Sequence, residues 1–175
     1  MKFGGTSVGT SAAIGQTVGI LAEGRDSGHV QVAVVSAMGG VTNMLLAEAA
    51  SAAGGDRDAA GRLCDGLRER HFAAIDELVG PGERGERTRA AIEELCQRCG
   101  RLLESVYVLR DLSTRSSDLI VSFGERMSSV VVAAALEARG VPAVNIDSDR
   151  VIVTDDSFGA ANPLLDETRA QADAV

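Results

Sequence analysis

The run Met1-Lys2-Phe3-Gly4-Gly5-Thr6-Ser7-Val8 sets a lysine one residue away from a pair of glycines, where an extended pattern gives way to a helical one. Adjacent residues without Cβ let backbone N–H groups approach a polyphosphate. The lysine adds a charge that can follow a transferring phosphoryl group. The spacing is neither that of a Walker loop nor that of a dinucleotide-binding fingerprint. Thr6, Ser7, Thr10 and Ser11 are candidate N-caps for a helix over Ala12 to Glu23, so the glycine loop is expected to feed a helix N-terminus, which attracts anions.

A second loop of the same kind follows. Val30 to Val35 is a short, mostly β-branched run that reads as a buried parallel strand, and it ends in Ser36-Ala37-Met38-Gly39-Gly40. A helical pattern then extends from Thr42 to about Ala53, broken by Gly54-Gly55. Further on, Gly124 and Glu125 interrupt an otherwise apolar helical stretch. A glycine there costs about 1 kcal/mol relative to alanine and invites explanation by the close approach of something else. A carboxylate in apolar surroundings needs a counter-charge. An arginine such as Arg126 or Arg139 could supply it, and so could a ligand.

The elements that must position these loops are legible in outline. Arg57 to Arg110 holds amphipathic helical patterns divided at Gly80-Pro81-Gly82, which predicts a helical hairpin or small bundle with a solvated face of Glu and Arg. Helical patterning resumes from about Ser116 and stops at Gly140. Val141 to Ile146 reads as a strand closing with Asp147-Ser148-Asp149, and Val151-Ile152-Val153 leads into a tight turn at Thr154 to Gly159. Pro163 then opens a last helical segment. This order predicts an α/β domain with a mainly parallel sheet flanked by helices, its site formed by loops at the carboxyl ends of the strands.

Composition narrows the function. At 175 residues the chain is long enough for one domain or part of one, and 17 basic against 25 acidic side chains leave a net charge of −8. No basic cluster marks a nucleic-acid footprint, so nucleic acid is not an expected partner. No apolar stretch reads as a bilayer span of ~20 uninterrupted residues, no signal peptide is evident, and a cytoplasmic location is expected. Cys64, Cys96 and Cys99 lie in helical segments without the second Cys/His pair a metal site would want, so they read as inert thiols and no metal site is expected. His29 and His71 have no ligand-like spacing and read as surface or packing residues.

Four blocks in this order carry a resemblance: Lys2-Phe3-Gly4-Gly5-Thr6-Ser7, Val34 to Asn43, Ser122-Phe123-Gly124-Glu125 and Thr154-Asp155-Asp156-Ser157-Phe158-Gly159. Together they resemble the signature blocks of the aspartokinases within the amino-acid kinase family. The resemblance implies an αβα sandwich and transfer of the γ-phosphoryl group of MgATP to the β-carboxylate of L-aspartate, giving 4-phospho-L-aspartate. ATP and Mg2+ are the implied cofactors, and a homo-oligomer is the implied assembly. By the same analogy Lys2 bridges the transferring phosphoryl oxygens, and Gly4, Gly5 and Gly40 offer N–H groups. Ser36 stands near the phosphoryl acceptor, Thr42 contacts the substrate, and Glu125 receives the aspartate ammonium. Lys2 and Ser36 are thus the implied catalytic residues.

The chain departs from the family pattern at both ends. Only Met1 precedes the lysine block, where relatives carry further apolar residues of the first strand. It stops at Val175, ahead of the family's arginine for the α-carboxylate, its adenine-binding strands and its regulatory ACT domains. The expectation is an N-terminal part of a kinase domain spanning 1–175, incomplete on its C-terminal side. Such a segment alone is expected to have little activity and to self-associate through uncovered apolar surface. Two alternatives stand beside this: a non-catalytic binding module or partner subunit of the same fold, and another acyl-phosphate-forming amino-acid kinase.

Overall fold

The structure, a computed structural model, describes residues 1–26, 28 and 31–174. Strand β1 (Lys2–Phe3) pairs in parallel with β2 (Val34–Val35), with Lys2 opposite Val34 and Phe3 opposite Val35. Between them runs α1 (Ser11–Asp26), and after them come α2 (Val41–Gly54), α3 (Ala59–Leu78), α4 (Glu83–Leu109) and α5 (Thr114–Ala138). A single 3-10 turn at Ser148–Arg150 and the short α6 (Leu165–Ala172) complete the order.

Local chemistry explains the helix limits. Thr10 caps α1, its hydroxyl accepting the Ala13 N–H at 3.2 Å, and Ser113 caps α5 by accepting from Ser116. Gly55 closes α2 at φ 99°, and the Gly80-Pro81-Gly82 break separates α3 from α4 as expected. Those two helices run antiparallel: Cys64 Sγ meets the Cys96 carbonyl, Arg68 pairs with Glu93, and Arg89 with Asp76. Leu63, Leu67, Ile75, Ile92 and Leu103 bury the seam, while α5 brings Ile120, Phe123 and Met127 and α2 brings Leu45. Each such side chain contributes about 2 kcal/mol of transfer free energy. By length and composition α5 could cross a bilayer, but its apolar residues here form the centre of the helical core.

The sheet is smaller than the sequence predicts. Of the expected strand from Val30 to Val35 only Val34 and Val35 are extended in a ladder, and Val30, like His29, lies outside the described residues. Val32 and Val34 are 75% and 58% exposed rather than buried, because no helix among the described residues covers that side of the two strands. Val141 to Ile146 and Val151 to Val153 form no strand among the described residues. Their backbone is held by other means: Arg126 reaches Asp147 at 2.5 Å, the Thr168 hydroxyl accepts the Val153 N–H, and Thr154 and Pro163 make one isolated antiparallel bridge. A β-branched run becomes a strand only beside a partner, and none of the described residues pairs with these two runs. The observed architecture is α/β in type, mostly helical, with one two-stranded parallel sheet.

Candidate active site

Alternation along the strands sorts the site residues. Phe3 and Ala37 are buried toward the helices, so Lys2, Val34 and Ser36 share the other, exposed face. The Ser36 N–H extends the ladder to the Phe3 carbonyl at 3.0 Å. Both glycine loops therefore leave the same edge of the sheet side by side. They also touch, because the Gly39 N–H donates to the Gly9 carbonyl at 3.1 Å. A Cβ at Gly39 would lie 3.0 Å from that oxygen, and one at Gly9 would lie 2.8 Å from the Gly5 carbonyl. The crossing thus demands glycine at both positions. The buried Thr17 fixes the first loop from α1 by donating to the Ser7 carbonyl at 2.8 Å.

Gly4 and Gly5 have no such internal reason. A Cβ on Gly4 would meet nothing within 4 Å, and one on Gly5 only the Ala37 carbonyl at 4.0 Å. Neither has a positive φ. What remains is bare backbone beside open space, the arrangement that lets an external anion come close to N–H groups. Gly40 differs: at φ 80°, ψ −12° it occupies the third position of a turn closed by the Val41 N–H on the Met38 carbonyl at 3.1 Å. It is the N-cap of α2, and half-buried Thr42 sits in the first turn of that helix, where backbone N–H groups lack helical partners.

Glu125 arrives from α5. Its Oε1 accepts the Ala37 N–H at 3.3 Å, and its other oxygen has no hydrogen-bond partner among the described residues. Neither arginine considered as a partner serves it: Arg126 bonds to Asp147, and Arg139 lies beside Gly15 and Gly19. Gly124 is accounted for by the same approach, since a Cβ there would stand 2.8 Å from the Ala37 Cβ and 3.2 Å from Val41. The missing Cβ is what lets α5 bring Glu125 up to the second loop.

Other sequence candidates lie elsewhere. The turn at 154–159 forms, with the Asp155 carboxylate accepting the Ser157 and Asn162 N–H groups and held below the usual range by Asn162 first. It docks on the N-terminal end of α5, where Asp118 accepts the Gly159 N–H at 2.6 Å and Arg115 lies over Phe158. The three cysteines are free and buried, and burial pushes Cys96 and Cys99 up to about 12, which leaves them protonated and unreactive. His71 is a packing residue, fully buried. Among the described residues no group of three His, Cys, Asp or Glu side chains is placed to hold a metal. Two grooves, of about 310 and 330 Å³, run along α3 and α4 and contain none of the site residues.

Two site features escaped the sequence reading. Gly9 matters through a contact with a residue 30 positions away. Arg70, on α3, donates from Nη1 to the Gly39 carbonyl at 2.5 Å, and nothing in its own neighbourhood along the chain signals that.

Known proteins resemble this chain over nearly its whole length. The family model described as the amino acid kinase family matches residues 1–171. Lysine-sensitive aspartokinase 3 of Escherichia coli (strain K12) is 33% identical over 167 residues, covering 93% of this chain and 33% of that protein. Aspartokinase of Chlamydia trachomatis is 32% identical over 164 residues, covering 94% of this chain and 33% of its own. The chain spans about a third of the length of these curated relatives. The crystal structure of E. coli aspartokinase III in complex with aspartate and ADP superposes with a TM-score of 0.83 at 30% identity, over 99% of this chain and 36% of that one. With the family model matching residues 1–171 and the fold in agreement, the chain belongs to the amino acid kinase family.

Proposed function

We propose that this chain is the amino-acid and γ-phosphate part of an aspartate kinase, occupying 1–175 of the kinase domain of a longer polypeptide. The observation that carries the reading is the meeting of Glu125 with the second glycine loop through the Ala37 N–H. A carboxylate with one uncommitted oxygen beside a glycine loop of bare N–H groups supports it. A zwitterionic substrate needs that pair of charges, cationic at its ammonium and anionic at its reacting end.

In this reading Glu125 receives the ammonium of L-aspartate and Thr42 contacts the substrate. The β-carboxylate, already a competent nucleophile, attacks the γ-phosphorus of ATP as the bond to the β,γ-bridging oxygen breaks and ADP leaves. No proton moves, so the protein's task is to align two anions and offset the charge between them. Lys2 and the N–H groups of Gly4, Gly5 and Gly40 face that charge, and Ser36 stands near the acceptor. Mg2+ enters as the nucleotide's complex, since the described residues offer N–H donors and a lysine rather than a carboxylate cluster. A cytoplasmic homo-oligomer is the setting we assign to it.

The test is aspartate-dependent ADP release by the protein as made in its own cells, with glutamate as the competitor. Turnover with aspartate and not with glutamate is expected. Preference for glutamate would move the assignment to another acyl-phosphate kinase.

A further inference from the structure

We infer that Arg70 is a positioning residue that holds the Gly39–Gly40 peptide in the one orientation that aims the Gly40 N–H at the bound phosphoryl group. The inference rests on the function proposed above. Met38 to Val41 form a turn closed by the Val41 N–H on the Met38 carbonyl, and Gly40 at φ 80°, ψ −12° gives it type II geometry. In such a turn the central peptide can rotate as a unit to the type I arrangement, which requires φ of about −90° at the third position. With glycine at both central positions neither arrangement meets a side-chain obstacle. Something outside the turn must choose.

Arg70 is placed to choose. Its guanidinium donates to the Gly39 carbonyl at 2.5 Å from outside the turn, and a Cβ on Gly40 would lie 4.0 Å from its Nη2. A trans peptide is planar, with C=O and N–H on opposite sides, so fixing the Gly39 oxygen toward Arg70 turns the Gly40 N–H the other way. That N–H has no hydrogen-bond partner among the described residues. Arg70 also makes no ion pair among them, so no carboxylate draws it from the carbonyl. The Gly39 N–H is held on the Gly9 carbonyl. The peptide before Gly39 is therefore pinned by the loop crossing and the one after it by the arginine. Rotation of the Gly39–Gly40 unit would withdraw a donor and present a carbonyl oxygen to an anion.

The experiment uses the protein as made in its own cells and compares Arg70→Ala, Arg70→Lys, Gly40→Ala and the double variant Arg70→Ala/Gly40→Ala. Arg70 is exposed, so its removal is compatible with folding. Loss of one aligned donor is expected to lower kcat by about tenfold or more with the aspartate KM within twofold, and lysine should restore part of the loss. Because Gly40→Ala disfavours the same positive φ, the double variant should be little worse than either single one. A crystal structure of Arg70→Ala should show Gly40 at negative φ. An unchanged kcat, a lowered Tm alone, or multiplicative losses in the double variant would overturn the role. Should the unsubstituted protein release no ADP with aspartate, the proposed function falls, and the turn type in the Arg70→Ala crystal still decides whether Arg70 sets the peptide.

Discussion

In the function proposed above, Lys2 acts on the transition state and Glu125 on the ground state, and their substitution should separate along that line. Lys2 is exposed on the sheet face that also presents Ser36, with no ion pair among the described residues. A contact that strengthens as charge spreads over the phosphoryl oxygens acts on turnover. Lys2→Ala should therefore lower kcat by roughly 10²–10³ with aspartate affinity changed only a few-fold, as steady-state kinetics beside aspartate titration would show. Equal loss in both would contradict the role. Glu125→Gln keeps an acceptor for the Ala37 N–H but removes the charge, so it should raise the aspartate KM by roughly 10–100-fold, the worth of a charge-assisted bond, and leave that for ATP nearly unchanged. At Gly124 the effect is steric. A Cβ placed 2.8 Å from Ala37 must displace α5 or the loop, and Gly124→Ala should cost about 1–3 kcal/mol in urea unfolding and also weaken aspartate binding.

Helix α3 carries a titration that bears on stability. His71 is fully buried, its Nδ1 2.7 Å from the Leu67 carbonyl and its Nε2 without a partner. Burial first, and then the Arg70 charge, hold its pKa below the ordinary 6.5. The folded state therefore prefers the neutral ring, and the unfolded chain binds a proton sooner. Stability should be full above about pH 6.5 and fall as pH drops below it, with a slope of at most about 1.4 kcal/mol per pH unit. His71→Leu should flatten the urea midpoint between pH 6.5 and 5. A midpoint that still falls as steeply in the variant would assign the effect elsewhere. This is also the scale at which the sequence was most readable. The cap at Thr10, the break at Gly80 to Gly82 and the apolar spacing of α3 to α5 act within one or two turns, and each left its mark in order, whereas the Ser113 cap was not read. The runs 141–146 and 151–153 carried the same β-branched signal as Val34-Val35 yet formed no strand among the described residues, because pairing is decided by a distant partner. Gly9 and Arg70 were hidden for the same reason.

For the molecule as a whole, apolar surface is left open on the sheet side. Val32, Val34, Val144, Ile152 and Leu165 are 75%, 58%, 84%, 46% and 70% exposed, a concentration of apolar surface along the thin sheet and the 141–165 segment. The 175-residue chain in isolation should self-associate at micromolar concentration by light scattering, and Val34→Lys with Val144→Lys should reduce it. A monomer without these changes would show the surface to be tolerated. The contact between Ala37 and Glu125 has a consequence of another kind. It joins positions 88 residues apart, and ribosomes add about 5–20 residues per second. The second glycine loop is therefore synthesised about 4–18 s before the helix that completes it. Nascent chains arrested ahead of Gly124 should be cut readily by protease at Met38 to Thr42, and chains arrested well past Ala138 should resist. During translation the loop is a waiting half-site, and its exposure is set by the pace of the ribosome.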